Sequence, residues 1–87
     1  MTAIMIDPTL EKHRRVMISE SHGGTGLYME DWRDTSPAGR RKVISSVEAW
    51  LKAERQRGLD RHWAYSLPRH TAVWKAWKIE KTLAGAP

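Results

Sequence analysis

Between Pro37 and Arg57 the apolar residues Val43, Ile44, Val47, Trp50 and Leu51 recur at helical spacing. At about 100° per residue they fill an arc of about 120°, the width of a stripe that packs against a core. Ser36 supplies an N-cap and Pro37 a residue pre-set for the first turn. Gly58 and Leu59 fit the left-handed and apolar positions of a Schellman stop. A helix over 37–57, with Arg41, Lys52 and Arg55 on one flank, is the expected spine of the fold. The chain has 87 residues, too few for a second domain, so a single small helical domain is expected over 1–87.

Two further helices are expected to pack on that spine. Asp7-Pro8 reads as a start, and Leu10, His13 and Met17 share one face of a helix over 8–21 that Gly23 and Gly24 end. Residues 69–83 form the last helix, with Ala72, Val73, Ala76, Trp77 and Leu83 on one face. Glu80 interrupts that face, and a buried carboxylate there requires a basic partner. Leu67-Pro68 reads as a break before it, because the residue preceding proline avoids the helical region. Asp60–Ser66 is expected to form a short helix capped by Asp60. Residues 1–7 (MTAIMID) read as an apolar arm or edge strand, pairing with Leu27 and Met29 in the glycine-bearing connection. Residues 84–87 read as a frayed tail.

Charge is distributed unevenly along the chain. Fifteen Lys and Arg against ten Asp and Glu give a formal +5. Through Asp34, the bases Lys12, Arg14, Arg15 and Arg33 face the acids Asp7, Glu11, Glu20, Glu30, Asp31 and Asp34, net −2. The remainder holds eleven bases and four acids (Glu48, Glu54, Asp60, Glu80), net +7. A polarised basic surface attracts nucleic acid, anionic lipid or an acidic protein face. The five tryptophans, in a chain without phenylalanine, are expected to be mostly core.

Several chemistries are disfavoured by the residues themselves. With no cysteine there is no disulfide, thiolate zinc site or thiol nucleophile. His13 and His22 are nine apart and His62 and His70 eight apart, so no pair shares a helical face at i, i+4; no metal is expected. His13 reads instead as a core histidine with one nitrogen satisfied. The stretch His22-Gly23-Gly24-Thr25-Gly26 matches neither phosphate-binding glycine motif, and no G-x-S-x-G elbow accompanies it. It reads as a helix stop and tight turn. No cofactor and no enzymatic activity are expected. No apolar run approaches the roughly 18 residues of a membrane span. The segment MTAIMIDPTLEKHRR lacks the features of a secretory signal, so a cytoplasmic protein is expected.

A nucleic-acid-binding accessory or regulatory protein is the leading functional expectation. Trp74, Lys78 and Lys81 fall at i, i+4 and i+7 on the last helix, placing an indole among cations. Arg69, His70 and Thr71 lie at that helix's start, where free backbone N–H groups favour phosphate. Arg55, Arg57 and Arg61 cluster about the preceding turn. A helix-turn-helix from Asp60–Ser66 and Arg69–Leu83 is one form, with Trp63, Ala64 and Trp77 as its internal core. The alternative for Trp74 is burial against the helix over 8–21. The competing functional class is a non-enzymatic inhibitor or adaptor, of phage or mobile-element type, that docks on an acidic protein surface through Trp32 or Trp74. A membrane-surface helix is disfavoured by Glu80.

Overall fold

The computed structural model describes residues 9–85. They form four helices: α1 (Lys12–Ser21), α2 (Met29–Trp32), α3 (Pro37–Leu59) and α4 (Leu67–Leu83). No strand occurs among the described residues. The arm over 1–7 and the Asp7-Pro8 start lie outside them. Its expected partner, Leu27–Met29, is not extended pairing: Met29 opens α2, where the Tyr28 N–H donates to Asp31 Oδ2 at 2.9 Å.

The spine forms as its sequence dictates. Ser36 Oγ accepts from the Gly39 N–H at 3.1 Å, and Pro37 occupies the first turn. Val43, Val47, Trp50 and Leu51 are buried, joined by Leu10 and Met17 near and on α1, Trp32 on α2, and Val73 and Ala76 on α4. Ile44 is half-buried at the edge of the stripe. The end of α3 departs from expectation. Gly58 lies within the helix, and the Schellman geometry sits three residues later. There Arg61 takes the left-handed conformation (φ 54°), His62 N–H donates to Arg57 O at 2.9 Å and Arg61 N–H to Gly58 O at 3.2 Å. Gly58 serves a different purpose: a Cβ there would come within 2.9 Å of the Tyr65 ring, so its absence lets Tyr65 close against the helix.

That displaced stop also explains two neighbouring differences. The chain reverses at Arg61, so Asp60–Ser66 forms turns and not a short helix; Tyr65 N–H donates to His62 O at 3.0 Å and Ala64 N–H to His62 Nδ1 at 3.1 Å. The expected helix-turn-helix pair is therefore not formed. Trp63, expected within its core, is 91% exposed, and Ala64 is exposed beside it. Next, Ser66-Pro68 starts α4 where a break was expected. Ser66 Oγ accepts from Arg69 N–H at 3.3 Å and Pro68 falls in the first turn, where its missing N–H costs no hydrogen bond.

Helix α1 begins at Lys12, later than the expected Pro8, with Glu11 extended just before it. It ends at Ser21, one residue ahead of the expected glycine stop: His22 itself takes the left-handed conformation (φ 51°), followed by Gly23 (φ 77°). His13 and Met17 face the core from α1, and Leu10 reaches it from just before the helix. On α4 the buried positions are Val73, Ala76 and Glu80; Leu83, expected on that face, is half exposed at the helix end. No helix of the described residues is long and apolar enough to cross a membrane.

Candidate functional site

Two charged regions flank α4, one closed and one open. In the closed one, Glu80 is fully buried and gathers donors from two helices. His13 Nε2 lies 2.7 Å from its Oε1, which also accepts from Arg14 Nε at 2.9 Å. Its Oε2 accepts from a terminal nitrogen of Arg14 at 2.8 Å and one of Arg40 at 3.0 Å. Arg40 also holds Glu11 through both carboxylate oxygens at 2.9 Å. The second terminal nitrogen of Arg14 donates to the backbone oxygens of Trp32 at 2.7 Å and Asp34 at 2.8 Å. Arg14, itself fully buried, thereby ties α1, α4 and the α2–α3 connection to one point.

Burial alone pushes the Glu80 carboxyl up, but hydrogen bonds from His13, Arg14 and Arg40 outweigh it and hold the group well below the usual carboxylate range. The Arg40 bond likewise lowers Glu11, and the Glu11 carboxylate raises Arg40. Glu11, His13 and Glu80 bring three potential ligand groups, two carboxylates and an imidazole, within 4.8 Å, a meeting that their spacing in sequence does not reveal. Both oxygens of Glu80 already accept two hydrogen bonds, and two guanidiniums stand where a cation would sit. The donor set therefore suits an ion-pair core and not a divalent metal.

The open region is a groove of about 570 Å³ between α3 and α4. Its lining includes Glu48, Lys52 and Arg55 from α3, and His70, Trp74 and Trp77 from α4. Trp74 is 43% exposed, with Lys78 Nζ 4.4 Å from the ring centroid; Lys81 Nζ lies 4.7 Å from that of Trp77. Trp74 thus belongs to this groove and does not pack on α1. Tyr65 OH lies 2.8 Å from His70 Nδ1 and fixes that ring at the groove's edge. Among the described residues, Lys52, Arg55, Lys78 and Lys81 form no ion pair.

Of the residues singled out in the sequence, Arg55, His70 and Trp74 line this groove, and Lys78 and Lys81 stand beside it over the Trp74 and Trp77 rings. The structure separates the others. Arg57 pairs with Glu54 at 3.5 Å, and Arg69 Nε lies 3.9 Å from Glu20; both line a different cavity, at the end of α1. Arg61 is exposed in the α3–α4 turn, and Thr71 is half-buried on α4 outside both linings. Trp32, a proposed docking anchor, is only 4% exposed and belongs to the core. Glu48, Lys52 and Trp77 also line the groove; the flank of the α3 stripe already carries Lys52, whereas only the packing of α4 on α3 brings Trp77 beside it. No protein-family model matches the chain, and no curated protein or solved structure matches it either.

Proposed function

We propose that this protein is a small non-enzymatic nucleic-acid-binding accessory protein that uses the α3–α4 groove. The observation that carries the reading is Trp74, partly exposed near Lys52, Arg55 and Lys78, none of which forms an ion pair among the described residues, although Glu48 also lines the groove. An indole so placed offers a stacking surface to a base, and the cations offer contacts to the flanking phosphates. Lys78 lies over the ring and is displaced toward a phosphate when a base stacks. Lys81, one turn further along α4, extends the same basic line.

Titration of the protein with a short mixed-sequence duplex, and separately with a single strand, tests this through its tryptophan fluorescence. Affinity is expected to fall steeply between about 50 and about 200 mM salt, by roughly 10³-fold if six phosphates are contacted. Trp74→Ala is expected to weaken single-strand binding more than duplex binding. An absence of binding at the lower salt overturns the proposal.

One observation favours the second reading, a module that docks on an acidic protein surface. Trp63 stands 91% exposed on a hydrogen-bonded turn, stacked on His62 and next to Arg61, with Leu59 and Leu67 also exposed nearby. An exposed tryptophan beside arginine has the make-up of an interface anchor. Under this reading Trp63→Ala abolishes partner capture while Trp74→Ala leaves it intact, and salt dependence is shallow.

A further inference from the structure

The α3–α4 groove holds one residue that phosphate binding does not explain. Glu48 lines it, half-buried, one turn of α3 ahead of Lys52, and forms no ion pair among the described residues. A carboxylate among cations weakens the pull of the groove on a phosphate backbone, because it repels the charge that the lysines attract. A carboxylate only accepts hydrogen bonds, so its natural complement is an N–H edge. The groove therefore presents three kinds of surface: the Trp74 indole, 43% exposed, for a flat ring; Glu48 for donors; and Lys52, Arg55 and Lys78 for phosphates. Its volume of about 570 Å³ falls within the range of about 300–1,000 Å³ typical of small-molecule sites, room for one nucleotide unit turned into it.

We infer that the groove takes an unstacked guanine base from a single-stranded nucleic acid, with Trp74 against its ring and Glu48 accepting from its Watson–Crick edge, an assignment that rests on the nucleic-acid reading of this groove and narrows it. In a duplex each Watson–Crick edge is spent on its partner base and each ring face on its neighbours, so neither Trp74 nor Glu48 finds its complement there. Single strands offer both. Among the bases, guanine suits a carboxylate best. Its N1–H and N2–H point the same way side by side, and the two carboxylate oxygens accept one each. Adenine and cytosine set one amino group beside a ring nitrogen whose lone pair opposes the carboxylate. Thymine and uracil set a single N–H between two carbonyl oxygens, which oppose it from both sides. Lys52, Arg55 and Lys78 then meet the phosphates that flank the inserted base.

Fluorescence titration of the full chain with a short thymidine strand, and with the same strand carrying one central guanosine, tests the inference at about 50 mM salt. The guanosine strand is expected to bind about tenfold tighter or more, the value of one bidentate base contact. Inosine at that position, which lacks the N2 amino group, is expected to lose most of the gain. Glu48→Gln, with its helical circular dichroism unchanged, is expected to erase the guanosine preference while binding of the thymidine strand holds or tightens. The same strands in RNA, with uridine for thymidine, read which sugar the groove favours, and the guanosine preference is expected in the tighter-binding series. Equal affinity for the two strands overturns the inference and leaves the nucleic-acid reading standing. A guanosine preference that survives Glu48→Gln, or inosine bound as tightly as guanosine, also overturns it. Failure of both strands to bind overturns the nucleic-acid reading itself and the inference with it.

Discussion

In the α1–α4 interface a single carboxylate, Glu80, holds His13, Arg14 and Arg40 together away from water; at the α3–α4 groove, Lys52 and Arg55 in the lining and Lys78 over the Trp74 ring form no ion pair among the described residues. The same residue types therefore do opposite work a helix-width apart. Acids of the first half reach across the fold to bases of the second: Glu11 to Arg40, Asp31 to Lys42 at 2.8 Å, Glu20 toward Arg69. Part of the +7 carried by the later residues is thus neutralised at home. What remains unpaired, and not the total, marks the surface on which a polyanion can act.

The comparison predicts that charge removal is ruinous in one region and mild in the other. Glu80→Ala leaves the fully buried Arg14 guanidinium without this counterion, while Arg40 keeps Glu11, a loss of about 3–5 kcal/mol that a domain this small is not expected to survive. Chemical denaturation followed by circular dichroism measures it; a variant as stable as the parent breaks the contrast. Trp50→Ala, a cavity at the centre of α3, is expected to cost about 3–5 kcal/mol in the same assay. The combined Lys52→Ala, Arg55→Ala and Lys78→Ala variant is expected to stay folded. It should lower the logarithmic salt slope of nucleic-acid binding by about three, near one for each phosphate no longer neutralised.

Acid titration sharpens the same contrast. Glu80 and Glu11 both have folded-state pKa values below their ordinary value of 4.5, so the stability they contribute is fully present above that pH. It is lost as pH falls through the folded values, where the carboxylates take up protons and release the arginines. The urea midpoint is expected to be level from about pH 7 to about pH 5 and to drop below about pH 4.5. Glu11→Gln is expected to make that drop shallower. The smallest effect is expected at Trp63: with its ring almost wholly in solvent, Trp63→Ala should change stability by less than about 0.5 kcal/mol.

The spine is legible in the sequence because each of its signals is local. Ser36, Pro37 and the apolar stripe need no knowledge of the rest of the fold. The end of α3 is not, because Gly58 carries two compatible meanings, a left-handed stop or room for another side chain, and only the position of Tyr65 decides between them. The Ser66-Pro68 start is obscured when Leu67-Pro68 is read as a break, although Ser36-Pro37 displays the same physics. Glu80 announces its need for a partner, and His13 its place in the core. Arg14, 66 residues from Glu80, gives no sign of being that partner, since pairing at that range depends on how α1 and α4 meet. The groove is half visible for the same reason: Arg55, His70, Trp74, Lys78 and Lys81 share faces of two helices, whereas Arg57 and Arg69 line another cavity despite their closeness in sequence.

The bond between Arg14 and Glu80 also sets an order of events during synthesis. A growing chain presents Arg14 66 residues ahead of Glu80, so α1 lacks this counterion until nearly all of α4 has left the ribosome. Helix α3, held by its own local hydrogen bonds, can form while α1 waits. A product that stops short of Glu80 is therefore expected to keep α1 and the α2–α3 connection undocked and open to proteases. Completion of the last helix acts as the step that admits the chain to its folded state.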